Sequence, residues 1–434
     1  MDLFAGAGGL SLGFEMIRDN LGRPVYELYR AVEINKFACQ TLKFRYGSEK
    51  IIEGDLTKRE THERVIEECK GKISIVVAGI PCQSFSQIGP RSGYGKKNEK
   101  YKKDHRDHLY KDVCNIIKEI KPKIIILENV RGILSKKDQN GKKIIDKIIF
   151  DLEIKLGYNL KNTKTGSKFM LLNAENYGVP QRRQRVIIIG FLKEWTKTDV
   201  PFVEPTHFNP KLEKKKKNGL RPYVTLFEAI GDLPEVQPKI TNCGLSEKER
   251  KKTFKINEKI NNGSDKIPFD RKRFKSHQKF CSDSAKEFFD FIKTKECKYI
   301  YHHIARSQQR SDLQLFKQMK AGETSKSFME RKPTLSKKLI KYDMNSFDDK
   351  YRRQKIDEPC TTIFAHLTKD GNRFIHPIQV RTLTPREAAR IQSFPDDFIF
   401  QGPLLKKFTQ IGNAVPPLLA RAVANSIKEA LDKT

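Results

Sequence analysis

The chain has 434 residues, of which 37% are hydrophobic, and its 85 Lys and Arg against 53 Asp and Glu give a formal net charge of +32. This length predicts a folded protein of two or three domains, and the apolar content excludes a wholly disordered chain. A membrane helix is excluded because no apolar run reaches roughly 18 residues. The positive charge predicts attraction to polyanions such as nucleic acid, or alternatively a lysine-rich solvated surface.

The eight cysteines are spread along the chain without a C-x-x-C pair and without clustering among the nine histidines. Neither a zinc site nor a disulfide framework is indicated, so we predict reduced thiols and no metal. The opening "MDLFAGAGG" predicts a strand, and we expect no signal peptide. We therefore expect a soluble cytoplasmic protein.

The first 190 residues alternate short apolar runs with helical patterns. Strands are predicted at "MDLFAG", "YRAVE", "SIVVAGI", "KIIILENV" and "RVIIIGF", and helices at "LSLGFEMIRDN", "NKFACQTLKFRYG" and "LYKDVCNIIKEIK". This alternation predicts an α/β fold in which a parallel sheet is covered by helices on both faces. Pro201, Pro205 and Pro210 then indicate a linker, beyond which the alternation is lost.

Two helices are predicted near the C-terminus. The block "TPREAARIQSFP" predicts a helix capped by Thr384, with Pro385 at its first position. The stretch "PPLLARAVANSIKEALDK" predicts a long amphipathic helix.

A glycine-rich turn, "FAGAGG", follows the first predicted strand and contains Gly6 and Gly8. Glycines there allow a ligand to approach the backbone closely. Glu33 ends the second strand, where such folds hydrogen-bond a ribose; Ile34 could cover an adenine face, and Asp55 follows the next strand. Each acid taken alone is equally well explained as a helix cap. Together with the turn, the acids favour a nucleoside-bearing cofactor.

Cys82 lies in "AGIPCQSFSQ", just beyond a predicted strand, where open α/β sheets usually place their chemistry. A thiolate there would be a nucleophile, activated by a nearby cation or helix N-terminus. The alternative is an inert buried cysteine, which is the interpretation for Cys39, Cys69 and Cys114 within helical patterns. The polar segment "SQIGPRSGYGKKNEKYKKDHRD" predicts either a loop that closes over an anionic substrate or a plain solvated loop.

Two further pairs of polar residues border apolar strands. Glu128 and Asn129 end the strand "KIIILENV", and a partly desolvated carboxyl group there can act as a proton donor. Arg183 and Arg185 in "QRRQR" are two apart, so they are expected on the same side of an extended segment. One could pair with an internal acid while the other reaches a ligand carbonyl, or both could be surface charge.

The sequence resembles the DNA cytosine-5 methyltransferase family of bacterial restriction-modification type. The resemblance lies in blocks that occur in this order: FAGAGG, Glu33, Asp55, PCQ, ENV, QRRQR, "RTLTPREAARIQSFPDDF" and "QIGNAVPP". The resemblance covers the chain except about residues 200–375. It implies a doubly wound class I methyltransferase (Rossmann-like) sheet with an inserted, smaller target-recognition domain. The catalytic domain is then expected at 1–198 and 403–434, and the target-recognition domain at 199–402, with its variable part at about 235–375.

The resemblance also implies a cofactor, S-adenosyl-L-methionine, and the residues at the site. The residues expected at the cofactor are Phe4, Gly6, Gly8, Glu33, Ile34, Asp55, Leu56, Pro81, Leu109 and Asn413. The implied catalytic residues are Cys82, Glu128, Arg183 and Arg185, and the implied DNA contacts are Gln83 and Asn129. Cys82 would attack C6 of a flipped cytosine, with Glu128 at N3 and the exocyclic amine and Arg185 at O2, so that C5 takes the methyl group.

Two other functions stay open at this point. A branch of the same family methylates transfer RNA, but the large basic insert and the wording "PCQSFS" favour DNA. A catalytically silent DNA-binding paralogue is disfavoured because every motif position needed for chemistry is filled. We expect a monomer that acts on double-stranded DNA at the bacterial nucleoid, either paired with a restriction endonuclease or as an orphan enzyme.

Overall fold

The computed structural model describes residues 1–81, 109–138, 140–212, 219–241, 266–293, 298–340, 348–368 and 371–433. The chain divides into two compact units. The first holds Met1–Tyr177, Gln184–Pro205 and Val415–Thr434, and the second holds Gly178–Arg183 and Thr206–Ala414. This division describes packing; the assignment of 1–198 with 403–434 to catalysis and of 199–402 to target recognition stays a prediction.

The first unit is built on an eight-stranded sheet. Strands β1 to β8 are Asp2–Leu3, Ala31–Glu33, Ile51–Glu53, Ile75–Gly79, Ile124–Val130, Tyr158–Asn159, Met170–Asn173 and Gln184–Leu192. Their order is β3-β2-β1-β4-β5-β8-β6, and β7 also pairs with β8. Strands β1 to β5 run parallel, which confirms the predicted α/β fold.

The last predicted strand departs from the parallel arrangement expected of it. β8 pairs antiparallel with β5 on one side and with β6 and β7 on the other. A parallel neighbour would require a crossover connection, usually a helix, whereas β7 and β8 are joined only by a short segment. The start of β8 consequently lies at the end of β5.

Helices cover both faces of this sheet. Successive strand residues point to opposite faces, and the buried apolar side chains on each face pack against helices. They are α1 (Gly9–Glu15), α2 (Lys36–Tyr46), α3 (Arg59–Cys69), α4 (Leu109–Ile120), α5 (Ile144–Phe150) and the C-terminal helix (Pro417–Leu431). On one face Ala31 shares a core with Leu42 of α2. On the other face Val32 shares a core with Val65 of α3. The predicted C-terminal helix is confirmed at Pro417–Leu431, and it belongs to this unit.

The second unit is mainly helical. Its described α-helices are Leu226–Ile230, Arg271–Gln278, Asp283–Ile292, Arg310–Gln318, Ser325–Arg331, Pro333–Leu339, Pro385–Ile391 and Leu404–Asn413. Its short ladders pair β9 (His207–Phe208) with β10 (Arg221–Pro222), β11 (Ile240–Thr241) with β14 (Gln308–Gln309), and β12 (Lys266–Pro268) with β13 (Tyr299–Tyr301). The loss of strand–helix alternation beyond the linker is thus confirmed.

Helix Pro385–Ile391 is the buried centre of the second unit. Its predicted cap is confirmed, since Thr384 and Glu387 form a capping box and Pro385 occupies the first turn. Arg390 is fully buried and pairs with Asp396 at 2.7 Å. No helix in the described ranges is long and apolar enough to cross a membrane, and no group of three His, Cys, Asp or Glu side chains there could hold a metal ion.

A substitution at Gly13 tests the contact between α1 and the C-terminal helix. A Cβ atom at this position would lie 2.5 Å from the Ala420 Cβ and 2.5 Å from the Pro417 carbonyl oxygen. Although alanine is the better helix former, we expect Gly13→Ala to lower the free energy of unfolding by about 1–3 kcal/mol through overpacking. Denaturant unfolding followed by circular dichroism measures the change. The exposed Asn425→Ala on the C-terminal helix is the control, and a Gly13→Ala protein as stable as the parent would contradict the contact.

Candidate active site

The carboxyl ends of the parallel strands lie at one edge of the sheet, and the amino end of antiparallel β8 lies there too. Open α/β sheets bind their ligands at this edge. Most of the site residues predicted from the sequence follow β1, β2, β3, β4 or β5 directly. The fold therefore gathers them along one edge of the first unit.

The turn after β1 adopts a backbone conformation that favours glycine. Phe4, Gly6 and Gly8 have φ values of 58°, 56° and 80°, in the left-handed region that L side chains rarely adopt. A Cβ at Gly8 would lie 2.9 Å from the Leu42 Cδ2, whereas a Cβ at Gly6 would meet nothing within 4 Å. Gly8 thus lets the turn pack against α2, and Gly6 borders open space.

The Glu33 carboxylate ties this turn to the end of β2. It accepts hydrogen bonds from the Gly6 N–H at 2.8 Å and from the Asn35 N–H at 2.7 Å. Burial raises the pKa of Glu33, because the charged form loses water. The helix-cap interpretation is wrong for Glu33, since Asn35 caps α2 by accepting from two backbone N–H groups. Sequence reasoning missed Asn35, although an asparagine directly before a helical pattern is a recognisable capping signal.

The residues after β3 form a second short turn at the same edge. The Asp55 Oδ1 accepts from the Thr57 N–H at 2.9 Å and from the Thr57 hydroxyl at 2.8 Å. Helix α3 starts after Lys58, so Asp55 is not its cap either. Leu56 is buried in the core of the sheet, whereas Ile34 after β2 is 62% exposed.

Asn129 holds the backbone that leads toward Cys82. Its Oδ1 accepts from the Val130 N–H at 2.8 Å, and its Nδ2 donates to the Ile80 carbonyl at 3.4 Å. Half-buried Pro81 follows Ile80 and is the last described residue before a gap. Cys82, Gln83 and the predicted lysine-rich loop lie outside the described residues.

Glu128 and Arg185 form a buried ion pair. The Arg185 Nε lies 2.6 Å from the Glu128 Oε1, and the two side chains are only 11% and 10% exposed. The Arg185 Nη1 also donates to the Gln184 carbonyl at 2.7 Å. A Cβ at Gly79 would lie 3.6 Å from the Glu128 Oε2, so the carboxylate sits beside the end of β4. The acid and the cation predicted from the sequence are thus neighbours at the site.

Three predicted site residues have other surroundings. Arg183 belongs to the second unit, where its guanidinium donates to the carbonyls of Ile363, Gly412 and Ala414 at 2.5, 3.2 and 3.0 Å. Asn413 is exposed at the end of its helix in the second unit. Leu109 is buried in the core of the first unit at the start of α4. The alternation used to place Arg183 beside Arg185 does not apply, since β8 begins only at Gln184.

A strongly basic helix marks the surface of the second unit. Helix Arg271–Gln278 exposes Arg271, Lys272, Arg273 and Lys275, and in the described part of the chain no carboxylate forms an ion pair with any of their side chains. The helix is held against the neighbouring helix Asp283–Ile292, because Phe274 packs edge-on against Phe289 with ring centroids 5.0 Å apart. A helix that exposes several cations is suited to contact phosphate groups.

Comparison with known proteins gives concordant matches. The family model for C-5 cytosine-specific DNA methylase matches residues 1–429. Type II methyltransferase M.DdeI of Desulfomicrobium norvegicum is 30% identical over 444 residues, covering 98% of this chain and 88% of its own. Type II methyltransferase M.NgoFVII of Neisseria gonorrhoeae is 30% identical over 427 residues, covering 98% and 85%. A solved Escherichia coli structure, named as a candidate prophage-encoded DNA modification methyltransferase, shares the fold with a TM-score of 0.63 and 22% identity over 99% and 98% of the two chains.

A double-mutant cycle tests the Glu128–Arg185 pair. We expect Arg185→Met to lower the free energy of unfolding by about 3–5 kcal/mol, because it leaves a buried carboxylate without its cation. Adding Glu128→Gln should recover part of this loss, and denaturant unfolding of all four proteins gives the coupling energy. The exposed pair Arg59–Glu63 is the matched control, and there we expect less than about 1 kcal/mol. Equal coupling in both pairs would contradict the buried arrangement.

Proposed function

The chain belongs to the C-5 cytosine-specific DNA methylase family, and we propose that it methylates C5 of cytosine in double-stranded DNA within a restriction-modification system. The observation that carries this proposal is the buried Glu128–Arg185 pair, at the strand edge where the backbone leads into Cys82. The type II names of its relatives support the restriction-modification role. A partner endonuclease and a monomeric state belong to the same proposal.

The residues after β1, β2 and β3 fit S-adenosyl-L-methionine, the methyl donor of this family. Gly6 borders open space, the Glu33 carboxylate can accept from ribose hydroxyls, and exposed Ile34 offers an apolar surface to adenine. When bound, the cofactor supplies an electrophilic methyl group. The residues proposed to hold it are Phe4, Gly6, Gly8, Glu33, Ile34, Asp55, Leu56, Pro81, Leu109 and Asn413.

The proposed reaction begins with the thiolate of Cys82. Its sulfur forms a bond to C6 of the flipped cytosine, which makes C5 electron-rich enough to accept a methyl group. A base then removes the proton from C5, and the C6–S bond breaks so that the thiolate leaves. Gln83 and Asn129 are proposed to lie at the DNA, and the mechanism gives no step to Arg183.

Glu128 and Arg185 would stabilise the charge that develops on the ring. Glu128 would serve N3 and the exocyclic amine, and Arg185 would donate to O2. Within the described residues the Arg185 guanidinium uses Nε for Glu128 and Nη1 for the Gln184 carbonyl. The two N–H groups of Nη2 and the second N–H of Nη1 are then the donors that can serve O2.

The nucleophile and the substrate are tested together. We expect the protein to transfer label from S-adenosyl-L-methionine to duplex DNA and not to total transfer RNA, and we expect Cys82→Ser to transfer none while keeping its DNA affinity, because only the thiolate is lost. Scintillation counting and a DNA-binding titration measure the two effects. Label found only in transfer RNA would overturn the choice of substrate. Normal turnover by Cys82→Ser, or no covalent trapping of 5-fluorocytosine DNA when cofactor is present, would overturn the mechanism.

Glu33 tests the cofactor site. We expect Glu33→Gln to weaken binding of S-adenosyl-L-methionine about tenfold or more, because a hydrogen bond to a charged acceptor contributes about 1.5–3 kcal/mol. Calorimetric titration of the folded protein measures the dissociation constant. The control is Glu53→Gln on neighbouring β3, where the native acid is exposed and pairs with Lys43 at 2.8 Å. Equal affinity in the two variants would place the cofactor elsewhere.

The basic helix tests how the protein holds DNA. We expect the triple variant Arg271→Gln, Lys272→Gln and Lys275→Gln to bind duplex DNA about tenfold more weakly at ~0.1 M salt and to reduce the slope of log K against log[salt] by up to about 3, because three fewer phosphates are neutralised. Turnover at saturating DNA should be unchanged. The control neutralises Lys118, Lys193 and Lys197, exposed in the first unit. An equal loss of DNA affinity in both triple variants would show that the helix contributes only to the overall positive charge and is not a specific DNA contact.

A further inference from the structure

Strands β12 and β13 of the second unit pair as a two-stranded antiparallel ribbon, in which Lys266 lies opposite Tyr301 and Pro268 lies opposite Tyr299. Directly opposed residues share a face, and side chains alternate along each strand, so these four lie on one face and Ile300 lies on the other. Ile300 is only 1% exposed, whereas Lys266, Pro268 and Tyr299 are exposed and Tyr301 is half-buried. The face that carries the lysine, the proline and the two tyrosines is therefore the outer face of the ribbon.

The side chains of the outer face are held against one another. The Lys266 Nζ lies over the Tyr299 ring, 4.6 Å from its centroid. The Tyr299 and Tyr301 rings meet edge-on with their centroids 6.4 Å apart. A tyrosine has only two side-chain torsions, so it presents a large contact area at a low cost in conformational entropy. The outer face thus offers one cation and two aromatic rings in a fixed arrangement.

The ribbon and the basic helix are anchored together on a buried ammonium group. The Phe269 N–H donates to the Lys298 carbonyl at 3.0 Å, which continues the ladder toward the helix. The Lys293 Nζ lies 3.9 Å from the ring centroid of Phe269 and 3.7 Å from that of Phe274, which belongs to the basic helix. Lys293 is only 9% exposed and pairs with buried Asp232 at 2.8 Å. Because one cation contacts both rings, the ribbon and the helix are fixed relative to each other.

Charge is segregated within the segment 266–301. The basic helix contains no acid. The carboxylate of Asp270 at its N-cap accepts from two backbone N–H groups. All the other acids among the described residues of this segment lie on the next helix, and they are Asp283, Glu287 and Asp290. The ribbon and the basic helix therefore carry positive charge that is complementary to a polyanion.

The outer face and the basic helix suit different parts of a DNA duplex. The exposed cations of the helix suit phosphate groups, which carry no sequence information directly. An uncharged ring or a proline gains little from a phosphate. A tyrosine hydroxyl, however, can donate to or accept from a base edge, and an apolar surface can contact the methyl group of thymine. The major groove, about 12 Å wide, admits a two-stranded ribbon.

We propose that the outer face of the ribbon reads base edges in the major groove of duplex DNA, with Tyr299 and Lys266 determining specificity and the basic helix holding the flanking phosphates. Because Lys266 contacts the Tyr299 ring and base pairs are stacked about 3.4 Å apart, the two side chains address the same base pair or direct neighbours. The inference rests on the proposed function only in taking duplex DNA as the partner, and it does not depend on methyl transfer.

Selection of duplexes from a randomised pool by the whole chain tests the proposal through binding alone. Sequencing of the bound DNA gives the preferred motif of the parent, of Tyr299→Ala and of Lys266→Ala. We expect each variant to lose base preference by at least about fivefold at the same one or two neighbouring base pairs, because one mismatched pair typically changes specific affinity about 5- to 150-fold. The control is Phe280→Ala, which removes a ring that is 76% exposed and lies outside the ribbon, and there we expect the motif of the parent.

A motif that Tyr299→Ala and Lys266→Ala both leave unchanged, or that Phe280→Ala relaxes equally, would overturn the proposal. A parent chain that selects no sequence would also overturn it and would assign the positive surface to another acidic partner. A parent that selects a motif but transfers no methyl group to cytosine would refute the proposed function and leave this inference standing. If circular dichroism shows that Tyr299→Ala does not fold, Lys266→Ala decides the outcome by the same measurement.

Discussion

The ion pair of Glu128 and Arg185 depends on the reversed direction of β8. In an all-parallel sheet, the start of this nine-residue strand would lie at the opposite edge, roughly 25–30 Å from the end of β5. The antiparallel register instead pairs Arg185 with Val130 and brings its guanidinium to Glu128. A buried pair of this kind adds little net stability, because desolvation offsets the attraction. Its value in the proposed reaction is that both charges are fixed, away from water, before the substrate arrives.

Glu33 shows a related use of a buried acid. Desolvation raises its pKa, while the backbone N–H of Gly6 after β1 and that of Asn35 after β2 stabilise the charged form. Hydroxyl donors of a bound ribose would add further hydrogen bonds and replace the water that the carboxylate has lost. Cofactor binding is then expected to favour the ionised acid, which links the affinity of the site to the geometry of the Gly6 turn.

The parts of the fold that could be predicted from the sequence are those set by local chemistry. The Thr384 cap followed from a threonine directly before a proline at the start of a helical pattern, and the strand ends that present Glu33 and Glu128 followed from apolar runs closed by polar residues. The direction of β8 could not be predicted, since it depends on pairing with β5, which lies far from it in the sequence. For the same reason the partners of Arg183 were out of reach: a two-residue period describes a strand, and Arg183 precedes it.

Asn129 links the ends of the neighbouring strands β4 and β5. Its side chain binds the backbone of Ile80 and Val130, and the Ile80 N–H donates to the Glu128 carbonyl at 3.3 Å. The register of β4 and β5, which pairs Gly79 with Glu128, continues through these bonds to the residue just before Pro81. A misplacement of about 1 Å can cost a reaction roughly a hundredfold in rate. Backbone hydrogen bonds between two neighbouring strands, together with the Asn129 side chain, therefore fix the chain as far as Ile80 relative to Glu128.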